Sequence, residues 1–316
     1  MSPFISICIP AYRRVHYLQR LLDSIAVQSY KNVEVIITDD SPGNEVGNLI
    51  QSYLPSLPIK YFKNPKALGT PENWNEAIRR ANGDWIKIMH DDDWFAGESS
   101  LQKFADAIDS NRDKKFFFSA YTIVHEQENQ NKETIRLSKR DENKLKKNSF
   151  YLFRQNYIGN PSCTLFKKEP GILFDNRFQW VVDFEFYIRY LNRFKNDFVY
   201  IDDALVNISV NQSQVTKSAF RARDIEIPEN HVMLSEAGFD KLRNIYVYDY
   251  FWRLYRNLSI QDIAQIKEYG YSGRFHAVLR SMINWQRAFP KIMLKFGPAS
   301  KMIMALHYLT HASKLK

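Results

Sequence analysis

In the first ninety residues, short apolar runs alternate with stretches of helical spacing, and this alternation constrains the fold most. Residues 4–9 (FISICI), closed by Pro10, and residues 33–38 (VEVIIT) read as strands buried on both faces. Residues 59–62 and 84–89 (DWIKIM) read as a third and a fourth strand. Between them, Val15, Leu18, Leu21, Leu22 and Ile25 recur at helical spacing. Residues 44–53 and 72–82 read as two more helices, the latter with Gly83 as its C-cap. Such a chain calls for an α/β fold: a Rossmann-like, mostly parallel sheet with flanking helices and right-handed crossovers. Residues 98–109 read as a helix and 116–119 as a strand. The charged stretch 125–149 reads as a mobile excursion over one end of the sheet. From about residue 221 the pattern is helical to the end. The expected division is therefore an α/β domain over 1–220 and a basic helical extension over 221–316.

The chemistry-bearing residues gather where strands end. After the fourth strand the chain reads His90-Asp91-Asp92-Asp93-Trp94. Adjacent carboxylates repel, and a cation is the usual remedy. The carboxyl end of a strand is also where an open α/β sheet places its ligand. Oxygen ligands suit Mg²⁺ or Mn²⁺, ions that commonly accompany substrate phosphates. Pro10-Ala11-Tyr12 ends the first strand and Asp39-Asp40 the second. On neighbouring strands the three groups would share one rim, where a ring can stack on a nucleobase and a carboxylate can accept its N–H. Turn chemistry accounts equally well for each group taken alone. The chain has no GxGxxG and no GxxxxGK[ST], so the acids and their cation take over the work of a phosphate-cradling glycine loop.

In combination, four segments resemble a GT-A fold glycosyltransferase of the family 2 kind. They are ISICIPAYRR at 5–14, VEVIITDDS at 33–41, the 64–94 run ending in HDDDW, and VVDFEFYIRYL at 181–191. The resemblance covers roughly residues 3–215 and leaves out the C-terminal third. It implies that Pro10, Ala11 and Tyr12 line the base pocket and that Asp40, with Asp39, reads the base, uracil being the best fit. It implies Asp92 as the direct metal ligand and Asp91 beside the ribose or the metal, with Asp93 capping the next turn. His90 stands where the family's first acid usually lies, as a donor contact. Asp183 corresponds to the general base of inverting members, with Glu185 as its rival two residues on. Asn160 and Ser162, in Ile158-Gly159-Asn160-Pro161-Ser162, fall on the acceptor side. Asn211, in the 211–216 segment, stands where relatives often carry a histidine near the metal. Asn73, Trp74 and Asn75 fall where an Arg-Asn pair is common, with Trp74 read as packing.

The resemblance thus implies metal-dependent transfer, with Mn²⁺ or Mg²⁺, from a nucleotide-sugar to a glycan or lipid-linked saccharide in surface polysaccharide assembly. Two other classes stay open on the residues. A nucleotidyltransferase would use similar Asp–metal chemistry, although Ala11-Tyr12-Arg13-Arg14 lacks the expected glycines. A non-catalytic, membrane-associated protein on the same fold is the other.

Charge and cysteine usage bear on where such a chain works. Cys8 and Cys163 are the two cysteines, too few for a disulfide framework, and fit a reducing compartment. The N-terminal residues lack a basic n-region, and no window supplies the ~20 apolar residues of a membrane-spanning helix. A cytoplasmic protein, peripheral at the inner face of the membrane, is expected. The net charge is +9, and after Glu268 eight basic residues follow with no acid among them. Phe275, Val278, Leu279, Met282, Ile283 and Phe289 recur among Arg274, Arg280 and Arg287, and Met302, Ile303, Leu306 and Leu309 follow near Lys295 and Lys301. These segments read either as helices packed on the rest of the chain or as a basic amphipathic surface on an anionic membrane. No nucleic-acid partner is expected, because the stacking and RNA motifs are missing.

Overall fold

The structure is a computed structural model that describes residues 2–127, 131–211 and 221–311. Its chain begins β1 (Ile5–Ala11), α1 (Val15–Ala26), β2 (Val33–Asp39), α2 (Glu45–Gln51), β3 (Ile59–Lys63), α3 (Glu72–Arg80) and β4 (Trp85–Ile88). These four strands are parallel, in the order β3-β2-β1-β4. Ile5, Ile7, Ile9, Val35 and Ile37 are buried, as continuous apolar runs require in a sheet covered on both faces. The apolar stripe of α1 buries Leu18, Leu21, Leu22 and Ile25. Gly83 precedes β4 for a reason other than capping. The C-cap of α3 is Ala81, and a Cβ on Gly83 would lie 2.8 Å from the Phe4 carbonyl oxygen.

Beyond β4 the sheet becomes mixed. The chain continues through β5 (Trp94–Phe95), α4 (Ser100–Ser110), β6 (Phe116–His125), β7 (Asn131–Ile135), α5 (Lys139–Lys147), β8 (Thr164–Lys167), α6 (Val182–Arg193) and β9 (Val199–Val210). The full order is β3-β2-β1-β4-β8-β6-β9-β5, with β7 beside β6. β8 runs antiparallel to both β4 and β6, whereas β9 is parallel to β6.

Residues 131–149 are ordered, contrary to the expectation of a mobile excursion over 125–149. β7 pairs antiparallel with β6, and Ser138 caps α5 by accepting from the Asp141 N–H at 3.1 Å. Leu145 is buried beneath an otherwise charged helix. So few apolar residues leave no periodicity to read, yet one cap, one ladder and two buried leucines, Leu137 and Leu145, define the segment.

Two compact units divide the chain. The first comprises Met1–Ser149, Tyr157–Asn176 and Phe186–Gln214, and the second Phe150–Asn156, Arg177–Glu185 and Val215–Lys316. The second unit therefore takes two short segments from within 1–220 in addition to the C-terminal helices. These helices are α7 (Arg223–Ala237), α8 (Ile245–Leu258), α9 (Ile263–Glu268), α10 (Ala277–Ala288), α11 (Lys291–Lys295) and α12 (Gly297–His311). Both α10 and α12 pack on α8, which buries Tyr248, Phe251, Trp252 and Tyr255. Among the described residues, no helix is long and apolar enough to cross a membrane.

Candidate functional site

In the first unit, strand register brings the three loop groups to one rim. Ala11 pairs with Asp39 across β1 and β2, and the Asp40 N–H donates to the Ala11 carbonyl at 3.0 Å. The Tyr12 N–H points at Asp91 Oδ2 at 3.4 Å, and the Arg13 N–H donates to Ser41 Oγ at 2.7 Å. Pro10, Ala11, Tyr12, Asp39, Asp40 and Asp91 are thus brought together. Tyr12 is 46% exposed on this rim, with the Arg13 guanidinium 5.0 Å from its ring centroid.

The two strand-end acids of β2 do different work. Asp39 Oδ2 accepts from Tyr61 Oη at 2.7 Å and Lys63 Nζ at 2.9 Å, and Oδ1 accepts from the Ser41 N–H at 2.8 Å. It is fully buried and ties β2 to β3. Asp40 Oδ1 accepts from Asn64 Nδ2 at 2.8 Å and the Leu68 N–H at 2.9 Å, and Oδ2 accepts from the Gly69 N–H at 2.8 Å. Asp40 therefore shapes the 64–69 loop beside Tyr12's strand end.

At the end of β4 the acid run separates by partner. Asp91 takes Arg14 Nη2, and burial pushes its carboxyl up to about 7. Asp92 Oδ2 accepts from Arg14 Nη1 at 3.0 Å and Asn211 Nδ2 at 3.2 Å, while its carbonyl accepts from Arg20 Nη2 at 2.8 Å. Asp93, fully buried, accepts from Asn160 Nδ2 at 2.7 Å and the Ser209 N–H at 3.2 Å, and burial raises its pKa. Ser162 Oγ accepts from the His90 N–H at 3.0 Å. Asn160 and Ser162 thus support the acid cluster from behind. Lys87, fully buried in β4, donates Nζ to the Ser162 carbonyl, and burial brings its pKa down to about 7. Residues 212–216 of the Asn211 segment lie outside the described residues.

His90, Asp92 and Asp93 can offer one ligand atom each within 4.8 Å of one another. His90 Nδ1 lies 3.8 Å from Asp93 Oδ2, and among the described residues the buried His90 Nε2 has no hydrogen-bond partner. The donor set fits a divalent ion. It draws in Asp93, where the sequence suggests a turn cap, while Asp91 turns to Arg14 and the Tyr12 N–H. Trp74 packs edge-on against Phe174 at 5.1 Å, in keeping with a structural role.

Asp183 lies in the second unit, in the first turn of α6. Its Oδ2 accepts from Asn156 Nδ2 at 3.3 Å and its Oδ1 from the Phe184 N–H at 2.8 Å. Burial pushes its carboxyl up to about 6. Just ahead of it, the Glu229 carboxylate of α7 accepts three successive backbone N–H groups: Gln179 at 2.7 Å, Trp180 at 2.9 Å and Val181 at 3.1 Å. Glu229 thereby fixes the chain entering the helix, and charge-assisted bonds of this kind are strong. Glu185 follows in the same helical turn and, two residues on, faces a different direction. Sequence reading misses Arg14, Lys87, Asn156 and Glu229, whose roles rest on partners dozens of residues away. The one local signal is the placement of Arg14 directly after the first strand end.

This rim of strand ends with its acid cluster stands on a mixed α/β sheet. The chain belongs to glycosyl transferase family 2: the family model of that description matches residues 6–171. Curated relatives are matched over only part of their length, 37% for one from Haemophilus influenzae. Another is the GalNAc(5)-diNAcBac-PP-undecaprenol beta-1,3-glucosyltransferase of Campylobacter jejuni. It is 29% identical over 93 residues, covering 29% of this chain and 30% of the relative. Among solved structures, S. aureus TarS in complex with UDP-GlcNAc superposes with a TM-score of 0.60 at 16% identity, over 90% of this chain and 87% of that one. The mannosyltransferase PcManGT of Pyrobaculum calidifontis, in complex with GDP-Man and Mn²⁺, gives a TM-score of 0.56 at 14% identity, over 99% and 86%. These likenesses establish the GT-A fold.

Proposed function

We propose that this chain is a metal-dependent, inverting glycosyltransferase. In this reading it moves a sugar from a nucleotide-sugar, with UDP-sugar the first candidate, to a glycan or lipid-linked saccharide in surface polysaccharide biosynthesis. The observation that carries the reading is the His90, Asp92 and Asp93 cluster at the strand end of a family 2 sheet. Asp92 would hold the ion, with His90 and Asp93 completing the protein donors. The imidazole tilts the choice from Mg²⁺, which demands oxygens, towards Mn²⁺. When bound, the ion neutralises charge on the leaving diphosphate. Pro10, Ala11, Tyr12 and Asp40 would hold the nucleoside, with Asp39 keeping that loop in place. The presence of UDP-GlcNAc in TarS and of GDP-Man and Mn²⁺ in PcManGT supports a nucleotide-sugar donor.

Asp183 is the proposed base. The acceptor hydroxyl oxygen bonds to the anomeric carbon from the face opposite the diphosphate, the bond to the diphosphate oxygen breaks, and the hydroxyl proton passes to Asp183. One displacement inverts the anomeric centre. A carboxyl with a pKa near 6 is ionised at neutral pH and has useful proton affinity. The undecaprenol-linked substrate named for the Campylobacter relative supports a lipid-linked acceptor, and with it work at the inner face of a membrane.

The test is a screen of nucleotide-sugars with Mn²⁺ for the released nucleotide. The expected result is release of UDP and a product of inverted anomeric configuration by NMR. Formation of UTP and a sugar 1-phosphate from UDP-sugar and added pyrophosphate would make the protein a nucleotidyltransferase, and no release from any donor would favour a non-catalytic protein.

A further inference from the structure

The C-terminal end contains two segments of similar sequence pattern that the structure treats differently. In α10, Val278, Leu279, Met282 and Ile283 are buried, so this segment is packing and not surface. In α11 and α12 the reverse holds. Ile292 is 79% exposed, Phe296 64% and Leu309 74%, and Met293, Met302 and Leu306 are exposed as well. Ten large apolar side chains are exposed among the described residues, and six of them fall within these eighteen positions, so the exposure is a patch and not scatter.

Helical geometry sharpens the patch. Met302, Leu306 and Leu309 stand at i, i+4 and i+7, on one face of α12. The other face is occupied within its own unit. His307 Nδ1 meets Tyr248 Oη at 2.6 Å, Ser300 Oγ accepts from Trp252 Nε1 at 3.1 Å, and Ile303 and Met304 are buried. Packing therefore fixes the orientation of the helix and leaves the apolar face outward. Lys291, Lys295 and Lys301 are exposed beside it, and the chain contains no acid after Glu268.

We propose that the outer face of α11 and α12 is a docking surface for an anionic lipid bilayer, with Ile292, Phe296, Met302, Leu306 and Leu309 entering the headgroup–acyl boundary and Lys291, Lys295 and Lys301 meeting lipid phosphates. The combination of apolar side chains ringed by lysine is what an interfacial helix presents. A second copy of this chain fits less well. A two-fold contact through this face would set lysine against lysine with no acid from this region between them. The proposal rests on the lipid-linked-acceptor reading for its purpose, but its test does not depend on that reading.

The experiment is co-sedimentation of the full chain with vesicles of phosphatidylcholine alone and of phosphatidylcholine mixed with phosphatidylglycerol. Binding to the mixed vesicles that weakens with salt is expected, and none to the neutral ones. The Phe296→Ser, Leu306→Ser and Leu309→Ser triple variant should bind at least about tenfold more weakly. Lys291→Gln, Lys295→Gln and Lys301→Gln together alter surface side chains alone; they should also weaken binding and flatten its salt dependence. Undiminished binding by either triple variant, or equal binding to both vesicle types, overturns the proposal, as does loss of vesicle binding to self-association through this face. Donor turnover in solution is measured alongside. A chain that turns over donor but ignores vesicles loses the docking face alone, and one that binds vesicles but turns over no donor loses the transferase reading alone.

Discussion

The acid run of the first unit and Asp183 of the second are both buried carboxylates beside an element terminus, yet their surroundings differ in kind. Asp91, Asp92 and Asp93 are each held by named donors: Arg14, Asn211 and Asn160 in turn. Such a set is fixed in place and rich in charge, as a cation site must be. Asp183 has one amide at 3.3 Å and a backbone N–H, and among the described residues no cation pairs with it. Burial then acts unopposed by a cation and raises its carboxyl to about 6. Burial raises the carboxyls in both places, Asp91 and Asp93 to about 7 and Asp183 to about 6, so what sets the acid run apart from Asp183 is its set of named donors and its convergence with His90.

The largest effect expected from this contrast is at the base. Asp183→Asn should lower transfer by ~10²–10⁴-fold with UDP affinity unchanged, measured by initial rates and calorimetry. Glu185→Gln should stay within about threefold of the parent; a larger loss there with an active Asp183→Asn protein moves the role to Glu185.

The pH profile tests the same carboxyl. Its pKa is raised on folding, so the ionised base is lost as pH falls through about 6. Below that, kcat/KM should fall about tenfold per pH unit. The sign for stability is opposite. The folded state holds this proton more tightly than the unfolded chain does, so its stabilising effect is present at low pH and fades as pH rises to about 6. Asp183→Asn should therefore raise Tm at neutral pH and leave it unchanged near pH 4, as read by calorimetry.

A smaller effect is expected from Glu229, which organises residues 179–181 ahead of the base. Glu229→Ala should raise deuterium exchange at those amides and lower kcat about tenfold with donor KM unchanged. Unaltered kcat despite faster exchange would show that Asp183 needs no such support. On the metal side, Asn160→Ala removes a partner of Asp93 and should weaken Mn²⁺ affinity by about tenfold, the low end for outer-shell changes, read by Mn²⁺ EPR.

The first unit was legible where local pattern and tertiary structure agree. Apolar runs buried on both faces gave β1, β2 and β4, and the acids at their ends share the expected rim. What could not be read depends on long-range partners. The placement of Arg14 against Asp91 and Asp92 spans more than seventy residues, and Glu229 meets residues 179–181 across about fifty. The β7–α5 stretch lacks enough apolar residues to show a period. α10 and α12 read alike as amphipathic helices, because a sequence shows that a helix has an apolar face but not whether another element covers it. Structure separates them: Leu279 is buried and Leu309 is open.

The most direct test of the division between cation site and base is calorimetric titration of UDP, with and without Mn²⁺, into the Asp92→Asn and Asp183→Asn proteins. The account predicts that Asp183→Asn binds UDP with the Mn²⁺ dependence of the parent, while Asp92→Asn loses that dependence. Binding by the parent that is blind to Mn²⁺, or loss of Mn²⁺-dependent binding in Asp183→Asn as well, would contradict it.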